Sequence, residues 1–195
     1  MKTTLNKIRA HGPCGLDPRE SPLTGFCKLR AHLGEDFDPD NDIDIVTVLD
    51  SNGLDDALWC LRAVDGHDWE IRMLSISLAR EVQHLMTDPR SRRALDVAES
   101  YAYGRATEDE RRLARAEAEN AFYAAVGDTA YAAGRAAASV VYAAAWDAAE
   151  NAAYAAGRAA VGGAAVGGAA VGGDDAAAVA KQEQLLREAC AQPES

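Results

Sequence analysis

Apolar residues recur at three- and four-residue steps through the first half of the chain, the spacing of one helix face. A short helix over 4–10 is closed by Gly12-Pro13. Ser21-Pro22 then reads as an N-cap followed by proline at the first helical position. Leu23, Phe26, Cys27, Arg30 and Leu33 give the next helix a largely apolar face, and Gly34 closes it. Leu54, Leu58, Leu61 and Val64 form another stripe, widened by Trp59 and Cys60 and ended by Gly66. Asn52, with Asp55 following, reads as its N-cap. His67-Asp68 opens a longer helix carried by Ile71, Leu74, Leu78, Val82, Leu85 and Met86. Thr87-Asp88-Pro89 stops that helix and starts the next, with Asp88 as N-cap. Leu95, Ala98, Tyr101 and Ala102 mark its inner face, and Gly104 ends it. One segment departs from the pattern. The β-branching of Ile43, Ile45, Val46 and Val48, with Leu49, suggests a strand, but no partner strand is evident, and a buried helical turn fits equally well.

From Thr107 onward the chain becomes mostly alanine, the best helix former. Thr107-Glu108-Asp109-Glu110 is a T-x-x-E capping box, in which hydroxyl and carboxylate satisfy free backbone donors. The string YAAGRAA occurs at 131–137 and 154–160, and Gly127-Asp128 offers a C-cap followed by an N-cap. The pentapeptide AAVGG then repeats in tandem over 159–173. Each Gly costs a helix ~1 kcal/mol relative to Ala. The repeat therefore reads as a flexible linker, the alternative being a helix whose neighbours approach very closely. Asp174-Asp175 caps a last helix with Val179, Leu185, Leu186 and Ala189 as apolar positions, fraying by Pro193. The expected fold is all-α, a helical bundle or short solenoid with a long Ala-rich helical C-terminal half. Its parts are an N-terminal helical region (1–106), an Ala-rich helical region packed on it (107–160), a Gly-rich linker (161–173) and a C-terminal helix (174–195).

Composition narrows the chemistry. The 195 residues are long enough for a real core, but only 6% are aromatic and much of the 48% hydrophobic fraction is alanine. Close helix approach and the Leu/Ile/Trp-rich first half must carry stability. The formal charge is −11, from 31 acidic against 20 basic residues. That disfavours direct nucleic-acid binding, where Lys and Arg must displace counterions. It suits a protein partner with a basic surface. The 4 cysteines, Cys14, Cys27, Cys60 and Cys190, form no C-x-x-C pair. With no signal peptide visible at Met1-Lys2-Thr3-Thr4, they read as reduced thiols in a cytoplasm. No run approaches the ~18 apolar residues of a membrane helix.

Candidate chemistry is sparse. His11, Cys14, Cys27 and His32 are ligand types, but they do not form two close pairs on tight turns. Asp36-x-Asp38-x-Asp40 starts like a calcium loop, yet Asn41 replaces the loop glycine and Thr47 the final glutamate. No metal and no cofactor is expected. G-x-S-x-G, Walker, G-x-G-x-x-G and H-E-x-x-H motifs are absent, so the chain reads as a non-enzyme with no catalytic residues. Two stretches carry partner-binding chemistry instead. The acidic loop concentrates Glu35, Asp36, Asp38, Asp40, Asp42 and Asp44. Farther on, Tyr131, Arg135, Tyr142 and Trp146 fall within roughly 60° on a helical wheel. Such a stripe is either a binding face or the seam on which the helix packs.

Three segments together resemble the Imm-5-like immunity protein family of bacteria and phages. They are SNGLDDALWCLRAV (51–64), the arginine-bearing helix that follows to LMTDPRSRRALDVAESYAYG (85–104), and the RATEDE turn (105–110) leading into an alanine-rich tail with recurring Tyr, Trp, Arg and Asp. The acidic loop and the AAVGG repeat depart from the family pattern. The resemblance implies an all-helical protein that binds and neutralises a toxin, and it supplies no catalytic residues.

The expected function is therefore a non-enzymatic inhibitor that blocks a protein partner. It would be an immunity protein or a phage counter-defence inhibitor such as an anti-CRISPR, without membrane binding. The alternative is a structural protein whose Ala-rich helices drive self-assembly, and a homo-oligomer is compatible with either. A helical enzyme with an unrecognised site is the third class.

Overall fold

The computed structural model describes residues 1–15, 25–81, 83, 88–125 and 175–191. The described residues are mostly helical, with one very small sheet among them. Strand β1 (Lys2–Thr3) leads into α1 (Leu5–Ala10), and α2 (Gly25–Leu33) follows. Strand β2 (Ile43–Asp44) runs directly into α3 (Ile45–Asn52), then α4 (Leu54–Cys60) and a 3-10 turn (Leu61–Ala63). Next come α5 (Asp68–Glu81), α6 (Pro89–Ala102), α7 (Glu108–Ala125) and α8 (Asp175–Cys190).

The ambiguous β-branched segment is both things at once. Ile43 and Asp44 pair antiparallel with Thr3 and Lys2, and the helix begins at Ile45. The partner strand is only two residues long, too short to leave a period in the sequence. The Ile45 amide extends the pairing by donating to the Met1 carbonyl at 3.2 Å.

Several helix starts follow from local chemistry. The Thr4 hydroxyl accepts from the Lys7 amide and caps α1. Asp88 caps α6, accepting from the Arg90 amide at 2.8 Å with Pro89 first in the helix. At α7 the capping box is complete: the Glu110 amide donates to Thr107 Oγ1 at 3.2 Å, and the Thr107 amide donates to Glu110 Oε2 at 2.7 Å. The Thr107 bonds, backbone first, hold the Glu110 carboxyl below its ordinary value.

The α3–α4 junction differs from expectation. Asn52 ends α3 and is not the N-cap of α4; Gly53 closes one helix and opens the other. Its φ of 98° and ψ of 178° lie in a region essentially restricted to glycine. Asn52 is thereby freed for tertiary work: Nδ2 donates to the Gly25 carbonyl at 2.8 Å and to Asp56 Oδ2 at 2.7 Å. The helix after it also stops earlier than Gly66, tightening into the 3-10 turn and becoming extended at Val64.

Helix α5 separates two hydrophobic clusters. At 100° per residue, Ile71, Leu74 and Leu78 fall within about 60° of one another, and Ala79 and Ile76 lie roughly 80–140° round from Ile71. The first set joins Leu5, Ile8, Leu29, Ile45, Val48, Leu58 and Leu61, with Leu186 of α8 completing the cluster. The second set meets Ala94, Leu95 and Ala98 of α6 and Ala114 and Ala118 of α7. Leu58, Leu61, Leu74, Leu78 and Leu95 are all buried, as their spacing predicts. Ala94/Ala98 and Ala114/Ala118 repeat at four-residue steps, so small side chains line both helices where they meet. Arg80 reaches Asp96 at 2.8 Å and also Glu99, and Arg93 reaches Glu117 at 3.3 Å, fixing register across this cluster.

In α8, Leu186 is buried while Leu185 and Ala189 pack at the edge of the first cluster. Lys181 pairs with Glu81 at 2.6 Å, and Arg187 pairs with Asp50. Among the described residues no helix is long and apolar enough to cross a membrane. Ser21, Pro22, Leu23, Val82, Leu85, Met86, Gly127-Asp128, both YAAGRAA strings, the AAVGG repeat and Pro193 lie outside the described residues, as does the side chain of Val179.

Candidate protein-binding surfaces

The acidic loop lies between α2 and β2, and Glu35, Asp36, Asp38, Asp40, Asp42 and Asp44 are all exposed. It is tied to the scaffold at several points. The Asn6 amide donates to the Pro39 carbonyl at 3.1 Å, and Asn6 Nδ2 donates to Asp40 Oδ1 at 2.7 Å. Asp38 accepts from the amides of Asp40 and Asn41, through its carboxylate and its carbonyl respectively, each at 3.0 Å. Phe37 is inserted against the first cluster. Asp44 belongs to β2 and precedes α3 without making a side-chain cap. Lys2 pairs with Asp42 at 3.5 Å. The six acidic side chains therefore lie on one exposed loop that Asn6 of α1 ties down at Pro39 and Asp40. Tyr131, Arg135, Tyr142 and Trp146 lie outside the described residues, so the second expected face has no geometry to report.

A different aromatic–guanidinium patch forms where α5 begins and α6 ends. Trp69 is 44% exposed and Tyr103 47%, and their rings meet edge-on with centroids 6.2 Å apart. The Arg105 guanidinium stacks 4.6 Å from the Tyr103 ring centre. Beside them Tyr101 receives Arg72 at 5.4 Å and Arg111 at 5.2 Å. Arg111 is itself buried, and its guanidinium pairs with Glu108 at 2.7 Å. That pairing, led by its hydrogen bond, holds the Glu108 carboxyl below its ordinary value. Sequence reasoning missed this patch because its members sit on separate elements and share no period. The signal was available only as three aromatics, Trp69, Tyr101 and Tyr103, with arginines near them in sequence.

Comparison with family models, with curated proteins and with solved structures finds no match.

A cavity of about 340 Å³ opens between α1, α2, α3 and α4. Phe26, Leu29, Val48 and Trp59 supply much of its apolar wall, and Asn52, Asp55 and Asp56 its polar part. Cys14 and Cys60 also line it. The chain reaches this wall by a close backbone approach at Gly25, where φ is +51° and an added Cβ would lie 2.4 Å from the Cys14 carbonyl oxygen. Burial, with a smaller push from Asp56, raises the Cys60 thiol to about 12, so it is uncharged at neutral pH. Cys27 donates its thiol to the Gly15 carbonyl at 2.7 Å. Among the described residues, no group of three or more His, Cys, Asp or Glu gathers in a metal-holding arrangement.

Proposed function

We propose that the chain is a non-enzymatic inhibitor that docks on the basic surface of a protein partner and blocks it. Its finer architecture is a helical bundle or short solenoid whose Ala-rich C-terminal half is also helical. The resemblance of 51–120 to the Imm-5-like immunity family names the class of partner as a toxin. A phage counter-defence inhibitor such as an anti-CRISPR uses the same chemistry against a nucleic-acid-handling effector. Such partners carry the Lys/Arg surfaces that phosphate binding requires.

The observation that carries this reading is the acidic loop. Its carboxylates are exposed, and its backbone is held by Asn6, Phe37 and the β2 pairing. A charged surface that is ordered before binding speeds encounter and loses little entropy on docking. The chain's net charge of −11 acts in the same direction over longer range. The Trp69–Tyr103–Arg105 patch has the residue types that dominate interface energetics, and it gives the same function a second contact surface.

The test replaces Glu35, Asp36, Asp38, Asp40, Asp42 and Asp44 by Gln or Asn. Wild type and variant are used to capture partners from the organism that encodes the chain, and association is then timed at several salt concentrations. The reading requires slower association and a flatter salt dependence for the variant, with its fold unchanged. A partner bound by both forms at the same rate and with the same salt dependence removes the loop as the docking element.

A further inference from the structure

The cavity between α2 and α4 is not used by the inhibitor reading, and its wall has a definite chemical character. At about 340 Å³ it falls in the lower part of the range typical of small-ligand pockets. Its described wall contains two carboxylates, Asp55 and Asp56, and no lysine, arginine or histidine. Asn52 does not offer its amide to a ligand, because Nδ2 is already donated to the Gly25 carbonyl and to Asp56. That bond instead orients the Asp56 carboxylate. Asp55 is exposed and has no hydrogen bond or ion pair among the described residues. The remaining wall is apolar and aromatic, with Ile8, Leu29 and Val48 beside Phe26 and Trp59. Both rings already attract guanidinium groups. Arg9 lies 5.3 Å from the Phe26 centre and Arg62 lies 4.3 Å from the Trp59 centre, and neither arginine belongs to the cavity wall.

We infer that this cavity binds a small organic cation with an apolar body, its charged nitrogen held at Asp55 and Asp56 and its body against Phe26, Leu29, Val48 and Trp59. Two other ligand classes fit the wall less well. An anion would face two carboxylates, and the described wall itself contributes no cation. A neutral apolar molecule would fill the space but make no use of Asp55, and Asp56 would keep only its bond from Asn52 among the described residues. The placement of Asp55 and Asp56 in the first turn of α4 also favours that helix start. Helix stability alone does not require a cavity beside them. The inference is independent of any protein partner, so either reading can fail while the other stands.

The probes are phenethylamine, its neutral counterpart phenethyl alcohol, and the anion 3-phenylpropionate, added to the full chain labelled with 15N. The amine is expected to shift amides of the cavity wall in a saturable way and to bind at least about fivefold more tightly than the alcohol, a margin set by partly exposed ion pairs. The anion should bind more weakly than either. Saturating amine should also slow alkylation of Cys14, read by mass spectrometry of its peptide. The double variant Asp55→Asn with Asp56→Asn keeps an acceptor for Asn52 and should bring the amine down to the affinity of the alcohol. Its folded spectrum serves as the control. Equal affinities for amine and alcohol in the wild type overturn the inference, as does an amine preference that survives the double substitution. Shifts that map away from α2 and α4, or no saturation with any probe below about 10 mM, also overturn it.

Discussion

The Thr3 hydroxyl donates to the Ala63 carbonyl at 2.6 Å, joining the first strand to the end of the 3-10 turn across sixty residues of sequence. Both residues are buried, so neither group has water as a substitute. Thr3→Val keeps the shape and removes the donor, leaving a buried carbonyl unpaired. The expected loss is about 1–3 kcal/mol in chemical denaturation. Thr3→Ser should recover most of it. A valine variant as stable as wild type would mean that the Ala63 carbonyl finds another donor.

The two hydrophobic clusters should respond to opposite insults. Leu78 is 0% exposed in the first cluster, and Leu78→Ala should cost roughly 2–5 kcal/mol through lost burial and the cavity left behind. Ala98 is 1% exposed in the second cluster, where α6 and α7 meet through alanines. Ala98→Leu adds volume that this contact has no room for and should cost about 1–3 kcal/mol. A neutral Ala98→Leu would show that the helices separate easily.

The difference between these sites bears on what the sequence revealed. Leucine spacing at Leu58, Leu61, Leu74, Leu78 and Leu95 identified buried positions because a helix repeats its face every three or four residues. Asp88-Pro89 and Thr107-Glu110 identified helix starts because capping is local chemistry. The β1–β2 pair escaped notice because Lys2 and Thr3 carry no periodic signal and their partner is some forty residues away. The capping pattern at Asn52 misleads because its amide serves Gly25 and Asp56, contacts that exist only after α2, α3 and α4 assemble. The cavity and the Trp69–Tyr103 contact were invisible for the same reason. The acidic loop was visible by composition, but its attachment to Asn6 was not.

Cys60 gives the chain a pH dependence at its alkaline end. The folded-state value of about 12 stands above the ordinary 9.0, first because of burial and then because of Asp56. Between those values the unfolded chain releases the proton while the folded chain keeps it. The stabilisation is therefore fully present below the lower value and is lost as pH rises towards the upper one, with a slope approaching ~1.4 kcal/mol per pH unit. Other groups titrate in this window, so the informative quantity is the stability difference between wild type and Cys60→Ala. That difference should shrink between about pH 8 and pH 11. A constant difference would place the thiol in a more polar setting. For the same reason Cys60 should resist alkylation at neutral pH while exposed Cys14 reacts.

The acidic loop itself yields a prediction about order. Asn6 holds it twice, by its amide to Pro39 and by its side chain to Asp40. Asn6→Ala removes only the second bond, which is exposed, so global stability should fall by no more than about 1 kcal/mol. The local effect should be larger. The Asp40 and Asn41 amides, which donate to Asp38, should exchange with solvent several-fold faster, while Ile45, whose amide donates to Met1, should not change. Charge is untouched by this substitution, so the long-range attraction to a basic partner and its salt dependence should persist. What changes is the entropy lost when the loop is fixed on docking, which appears in the dissociation rate. The six-fold neutralisation should therefore slow association, and Asn6→Ala should speed dissociation with association nearly constant. If Asn6→Ala speeds amide exchange but leaves dissociation alone, the loop steers the partner without remaining in the final contact, and the Trp69–Tyr103–Arg105 patch becomes the surface to substitute next.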